Sequence, residues 1–263
     1  MPRSSLLYGC VGVGGMSVRS MEYEYVIFDV GGTLVRWGDA QMFSGFLAAF
    51  ALDLEPAQIA SDGALLRRLM IEAFGRNRHA AVGLGATGDS VADFWREVLR
   101  ETLAEWCRPG YGEGMLEPLT YAVIMGTFDV LFEDAVSALT RLKEAGYRLG
   151  VISNWNENLP NELAYWGIDS FFDFVIVSSL VGVAKPSPEI FRIGLASANC
   201  QPDEALYVGD HAVDDCEGAM GAGLDAALIT RAIDRYTERM PCTMIFPSLG
   251  ALVDRLVEEE VML

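Results

Sequence analysis

The chain is short of positive charge. Against 37 aspartates and glutamates it has 19 lysines and arginines, and its 263 residues carry a formal net charge of −18. Only two of the cations are lysine, Lys143 and Lys185. A balance this acidic repels nucleic acid and anionic membrane surfaces, so neither is an expected partner. Small-molecule chemistry becomes the default class, and an anionic substrate would need local compensation from a metal ion or clustered arginines. The five cysteines, at positions 10, 107, 200, 216 and 242, are scattered and contain no Cys-x-x-Cys spacing. That argues against a disulfide framework or a zinc site and fits a reducing cytoplasm. No long apolar run is present: Leu6 to Val13 is too short and Gly-rich to cross a membrane. Leu7-Tyr8-Gly9-Cys10 resembles a lipoprotein cleavage site, but the stretch ahead of it is too short for a signal. With Met16 and Met21 just before the first strand, residues 1–20 read as a flexible tail. Internal repeats and low-complexity segments are also missing.

What is present is organised around Tyr25-Val26-Ile27-Phe28-Asp29-Val30-Gly31-Gly32-Thr33-Leu34. β-Formers running into a carboxylate, two glycines and a hydroxyl read as a buried strand that opens into a tight turn. In open α/β sheets ligands bind at the carboxyl ends of strands, which would put Asp29 where chemistry is done. The length leaves room for an α/β core plus an inserted smaller unit.

From about Trp37 to Met125 no strand is evident and amphipathic helical spacing takes over. Met42, Phe43, Phe46, Leu47 and Phe50 recur at i, i+3 and i+4, as do Leu65, Leu66, Leu69, Met70 and Phe74. A third helical segment, Val91 to Trp106, puts Phe94, Trp95, Val98, Leu99 and Leu103 on one face. These aromatic stripes are expected to be core. From Glu133 onward strands and helices alternate, with strands at Arg148 to Ser153, Phe174 to Ser178, Ala205 to Gly209, Ala226 to Thr230 and Met244 to Phe246. Helices fall at Ala135 to Ala145, Leu159 to Trp166, Pro188 to Ala198, from Cys216 and at Leu249 to Glu259. This is the pattern of a doubly wound parallel sheet, an α/β fold covered on both faces.

In such a sheet the polar strand ends converge on one edge. They carry Asp29 and Thr33, then Ser153 and Asn154, then Lys185, then Asp210 with Asp214 and Asp215. Asp29, Asp210 and a backbone carbonyl near Gly31 would make an oxygen-rich seat for Mg2+, an ion usually held by one or two carboxylates plus substrate phosphate. A lysine where arginine does nearly all the other cationic work points to a need for a compact charge at Lys185.

Taken in order, these stretches resemble the haloacid dehalogenase superfamily, the HAD hydrolases. The resemblance covers Tyr25 to about Arg36 and Asp134 to about Thr230, and the helices between sit where this superfamily inserts a helical cap. Val151-Ile152-Ser153-Asn154 is similar to the second motif and Ala184-Lys185-Pro186 through Phe191 to the third. Val208-Gly209-Asp210 through Asp215, with Gly218-Ala219 after it, is similar to the fourth. The resemblance implies a Rossmann-like core over residues 21–36 and 127–263, a cap over 37–126, and a cytoplasmic hydrolase. It implies that Asp29 attacks a phosphoryl group of a small phosphorylated metabolite, forming an aspartyl-phosphate. Ser153 and Lys185 would hold the transferring oxygens. Asp29, the Gly31 carbonyl, Asp210 and Asp215 would hold Mg2+, with Asp214 as the fallback for Asp215. Thr33, Asn154 and the basic cluster of Arg76, Arg78 and His79 would contact substrate.

One position departs from the family pattern. Its phosphatases carry an acid/base aspartate two residues after the nucleophile, and this chain has Gly31 there. General acid/base assistance is worth ~10²–10⁴ in rate. A good leaving group, a substitute such as His211 or a cap residue, or a protein that binds without efficient turnover would each account for the glycine. Phosphonate-cleaving members use a cap lysine, and none lies between Leu34 and Leu142. The 2-haloacid dehalogenases lack the metal-binding Gly-Asp of the fourth motif, which this chain keeps as Gly209-Asp210. Dehalogenation therefore stands as a lesser alternative.

Overall fold

The fold is taken from a computed structural model that describes residues 23–50, 55–77, 88–106, 112–231, 242 and 244–258. The expected tail over residues 1–20 lies outside them, as do Arg78 and His79.

Six strands form one parallel sheet: β1 (Tyr25–Phe28), β4 (Arg148–Ser153), β5 (Phe174–Val177), β6 (Ala205–Gly209), β7 (Asp225–Ile229) and β8 (Met244–Phe246). Their spatial order is β5-β4-β1-β6-β7-β8, which places β1 between β4 and β6. All four residues of β1 are buried, and their alternation serves two cores. Val26 and Phe28 face one side with Leu139 and Leu142 of helix α5 (Ala135–Ala145), Leu159 and Leu163 of α6 (Leu159–Tyr165), and Leu252 and Leu256 of α10 (Leu249–Glu258). Tyr25 and Ile27 face the other with Ile190, Phe191 and Leu195 of α8 (Pro188–Ala198) and Ala219 of the short α9 (Gly218–Gly221). A strand apolar on both faces belongs in a parallel sheet covered twice.

Local signals explain several boundaries. Helix α5 stops at Gly146, whose φ of 100° lets its N–H turn back to the carbonyls of Leu142 and Lys143. Helix α8 starts where the Ser187 hydroxyl accepts the Glu189 N–H, with Pro188 in its first turn. A four-residue helix α7 (Ser178–Val181) follows β5 directly.

The insertion is helical as expected: α1 (Ala40–Phe50), α2 (Pro56–Asn77), α3 (Gly88–Trp106) and α4 (Gly112–Ile124). Phe43, Leu66, Met70, Leu99, Leu103 and Leu119 close its own core, where Phe43 and Phe128 stack 4.2 Å apart. Two features escaped the sequence pattern. Strand β2 (Val35–Trp37) pairs antiparallel with β3 (Asp129–Leu131), so the chain leaves for the helices and returns from them through one two-stranded ribbon. The helix expected from Cys216 begins earlier, as a π-helical turn over Ala212–Glu217.

The cysteine expectation needs correction. Cys216 and Cys242 form a disulfide, their Cα atoms 6.0 Å apart, and Cys200 is free and buried. A separation of 26 residues hid the pair, because only the fold brings the π-helical turn against the segment before β8. The ground on which a reducing compartment was expected is removed with it. Among the described residues no helix is long and apolar enough to cross a membrane.

Candidate active site

The order of the sheet brings the strand ends together. Asp29 follows β1, Ser153 ends β4 and Asp210 follows β6, so the two neighbours of the central strand deliver their polar residues to either side of Asp29. The Ser153 hydroxyl donates to Asp29 Oδ1 at 2.8 Å. Lys185 comes from the loop before α8, and Nζ donates to the same oxygen at 2.7 Å. The other two Nζ hydrogens go to Asp215 Oδ1 at 2.6 Å and to the Tyr207 hydroxyl at 3.0 Å. All three hydrogens of the ammonium are thereby placed.

Lys185 and Asp215 are 2% and 1% exposed, so this is a buried ion network whose partners depend on one another. Burial opposes the charge on Lys185, but Asp215 and Asp29 outweigh it and hold the ammonium well above its ordinary pKa. Burial likewise raises the Asp29 carboxyl, against the pull of Lys185 and the Ser153 hydroxyl.

Two glycines make room for the acids. Gly32 has a φ of +78°, and a β-carbon there would stand 2.4 Å from Asp210 Oδ2. A β-carbon on Gly209 would stand 2.2 Å from Asp215 Cγ. Asp29, Asp210 and Asp215 each offer a carboxylate oxygen, all within 4.8 Å of one another. Three carboxylates against the single Lys185 ammonium leave two negative charges, which is the charge a divalent cation cancels. The all-oxygen donor set suits a hard ion such as Mg2+. Asp215 is already occupied on both oxygens, by Lys185 on Oδ1 and by the His211 N–H on Oδ2 at 2.8 Å.

Other expected residues are placed differently. Asn154 lines the cavity, yet its amide clasps the Lys185 backbone in both directions, accepting from N at 2.8 Å and donating to O at 3.0 Å. It holds the lysine loop. Thr33 is wholly buried and is not among the residues that line the cavity. Arg76 is not brought to the site: its guanidinium is tied to Glu101 and Glu105 of α3, both at 2.6 Å. The arginine that α2 does present to the cavity is Arg67, whose Nε donates to the Gly38 carbonyl at 2.6 Å. His211 Nδ1 accepts the Asp214 N–H at 3.0 Å.

The cavity over Asp29 measures about 590 Å³ and is shared between sheet edge and inserted helices. Its upper wall corrects the assignment of the aromatic stripes to core. Val98, Leu99 and Leu103 of α3 are buried, but Phe94 and Trp95 are half-buried and line the cavity with Phe74 and Trp37. A single helical stripe serves two purposes, which periodicity alone does not separate.

Four further residues were not singled out from sequence. Tyr207 lay within an apolar strand, although a buried phenol calls for a partner. Its hydroxyl donates to the Ile152 carbonyl at 2.8 Å. Asp129 begins β3 and lines the cavity. Burial, with the Glu162 carboxylate beside it, pushes its pKa up to about 7. Glu162 is itself raised by burial, against hydrogen bonds from Asn158 and Trp155. Trp155 stands between these acids and the nucleophile turn: Nε1 donates to Glu162 Oε2 at 3.2 Å, while Cζ3 on the opposite edge lies 3.2 Å from where a Gly31 β-carbon would be.

Comparison with known proteins gives this arrangement a context. The sequence model of the haloacid dehalogenase-like hydrolases matches residues 23–223. The chain is 34% identical over 142 residues to haloacid dehalogenase-like hydrolase domain-containing protein 3 of Homo sapiens, covering 53% of each chain. It therefore spans about half the length of that relative. It is 33% identical over 167 residues to the glyceraldehyde 3-phosphate phosphatase of Methanothermobacter thermautotrophicus, covering 56% of this chain and 71% of that one. Among solved structures, the Bacillus subtilis HAD-hydrolase YfnB bound to magnesium superposes with a TM-score of 0.67 at 18% identity, covering 89% of this chain and 99% of that one. At that identity the likeness is one of fold.

Proposed function

The chain belongs to the haloacid dehalogenase-like hydrolases, and from that premise we propose that it is a Mg2+-dependent phosphatase of a small phosphorylated metabolite, acting through Asp29. The observation that carries this reading is the divided environment of the Asp29 carboxylate. Oδ1 is held by Ser153 and Lys185, and no donor among the described residues is directed to Oδ2. The fixed oxygen orients the group and the other is the nucleophile.

In the proposed reaction Oδ2 bonds to phosphorus as the bond to the leaving oxygen breaks, and water then displaces Asp29 to release phosphate. Lys185 opposes the burial that raises the Asp29 carboxyl and would lie beside the incoming phosphoryl oxygens. Ser153 restrains the carboxylate from rotating by giving its one hydroxyl hydrogen to Oδ1. Asp29, Asp210 and the Gly31 carbonyl would hold Mg2+, with Asp215 as the group that fixes Lys185 and closes the cluster. When bound, that ion supplies Lewis-acid neutralisation of phosphoryl charge. The proposed division is a core over residues 21–36 and 127–263 with a cap over 37–126. The phosphatase name of one relative supports the substrate class.

The test is phosphate release from a panel of phosphorylated metabolites with and without Mg2+. Turnover that requires the ion and disappears in Asp29→Asn supports the reading, and no release from any member sinks it. Gly31 favours a second reading, a protein that binds phosphate esters without efficient turnover. Ligand-induced thermal stabilisation without phosphate release would select it. The proposed compartment is the cytoplasm, which requires Cys216 and Cys242 to be thiols in the cell. Alkylation under denaturing conditions in a rapidly quenched lysate that leaves both unmodified would contradict that compartment, since both cysteines are buried in the folded chain.

A further inference from the structure

The four aromatic rings above Asp29 differ from those that only build the cap core. Phe43 and Phe128 are fully buried against each other, whereas Trp37, Phe74, Phe94 and Trp95 are half-buried with a face left to the cavity. They form one connected wall. Phe74 stacks on Trp95 at 5.3 Å and 13°, and Phe94 stands edge-on to both, at 6.1 Å and 83° from Phe74 and 5.5 Å and 71° from Trp95. Trp37 closes the wall, 5.3 Å from Phe74 and 5.6 Å from Trp95. Aromatic faces and edges presented together favour a planar π-system beyond what the area buried alone supplies.

A second observation concerns the leaving oxygen. Position 31 supplies no acid, and a β-carbon there would stand 3.2 Å from Trp155 Cζ3, so a side chain would enter only as the indole gave way by a few tenths of an ångström. Asp129 lies past the far edge of the same indole, beside Glu162. An alkoxide leaves poorly without a proton donor, one worth ~10²–10⁴ in rate. A phenolate, with a conjugate acid pKa of about 10 as in tyrosine, leaves far more readily.

We propose that the wall formed by Trp37, Phe74, Phe94 and Trp95 is a subsite for an aromatic ring, and that the substrate is an aryl phosphate monoester cleaved without protonation from position 31. This deepens the phosphatase reading and rests on it. As Asp29 Oδ2 bonds to phosphorus, the phosphorus–oxygen bond breaks with its electron pair remaining on the phenolate, which takes a proton from solvent. Water then attacks phosphorus, restoring the Asp29 carboxylate and giving up a proton. The net change is one ester and one water to one phenol and one phosphate.

The experiment uses the full chain with Mg2+ and three esters. Benzyl and cyclohexylmethyl phosphate share an alkyl leaving oxygen and differ in the ring, while phenyl and benzyl phosphate share the ring and differ in the leaving oxygen. We expect kcat/KM for benzyl over cyclohexylmethyl phosphate to be roughly 3- to 10-fold, carried by KM. Phenyl over benzyl phosphate should exceed roughly 100-fold, carried by kcat. Trp95→Leu, and independently Phe94→Leu should the first not fold, should collapse the first ratio and keep the second. Equal values for benzyl and cyclohexylmethyl phosphate overturn the ring subsite. Equal values for phenyl and benzyl phosphate overturn the leaving-group argument and point to a cavity acid, Asp129 foremost. If no ester is cleaved, the phosphatase reading itself fails. The subsite is then judged by calorimetric binding of benzylphosphonate against cyclohexylmethylphosphonate, where equal affinity overturns it.

Discussion

The edge of the Trp155 indole lies 3.2 Å from the position a β-carbon on Gly31 would take. An aspartate restored at position 31 therefore needs the indole to give by a few tenths of an ångström. Gly31→Asp alone is expected to give little gain on alkyl phosphates, because the indole crowds the new side chain. Gly31→Asp with Trp155→Ala opens the space and should raise kcat on benzyl phosphate by ~10-fold or more. Steady-state kinetics of the single and double variants decide, and a comparable gain in the single variant would contradict the packing argument.

Lys185 sits between two carboxylates, 2.7 Å from Asp29 and 2.6 Å from Asp215, with almost no exposure. Removing the ammonium leaves two buried negative charges facing each other. Lys185→Met should lose about 3–5 kcal/mol of stability in urea unfolding and ~10²–10³ in kcat. The two losses should separate in Lys185→Met with Asp215→Asn, which recovers stability without recovering turnover.

Gly32 admits the Asp210 carboxylate to within van der Waals reach of its backbone. In Gly32→Ala the methyl group displaces that carboxylate, and the +78° φ becomes strained as well. The expected outcome is a Mg2+ affinity weakened ~10–100-fold, read as a smaller Mg2+-induced rise in melting temperature. A protein that melts cooperatively and responds to Mg2+ as the parent does would exclude Asp210 from the ion site.

Asp129 couples stability to pH. With its pKa near 7 in the folded chain and the ordinary value of 3.8 as the unfolded reference, the native state holds a proton that the unfolded chain has released across that window. Its contribution is complete below about pH 4 and is lost as pH rises through 7. Asp129→Asn keeps the shape and removes the ionisation. It should match the parent near pH 4 and exceed it by up to about 4 kcal/mol at pH 8, the gap between 3.8 and about 7 taken at about 1.4 kcal/mol per pKa unit. Denaturant melts at the two pH values measure it, and a constant offset would assign the difference to packing instead.

How far the sequence reached depended on the range of the signal. The central strand, the alternation after Glu133, and the convergence of Asp29, Ser153, Lys185, Asp210 and Asp215 were legible, because each rests on a short run ending in a polar residue. Asn154, Thr33 and Arg76 carry suitable chemistry, but their orientation depends on neighbours far away in the chain. Arg76 answers to acids 25 and 29 residues later. The Cys216–Cys242 pair and the Trp155 indole against Gly31 are products of tertiary packing, with no local pattern to announce them. The aromatic wall was visible as a stripe, and only its burial reveals that half of it looks into a cavity.

The ribbon of β2 and β3 has a mechanical consequence. Both ends of the helical insertion are hydrogen-bonded to each other along Val35–Trp37 and Asp129–Leu131, so the insertion is attached to the sheet by a single hinge leaf. Tilting it has to bend that leaf, and sliding is resisted. Trp37 lies on the leaf and its ring belongs to the wall of the cavity. Any swing is thus transmitted to the tilted indole pair it makes with Trp95, making the emission of those two tryptophans a built-in gauge of the angle between the two halves.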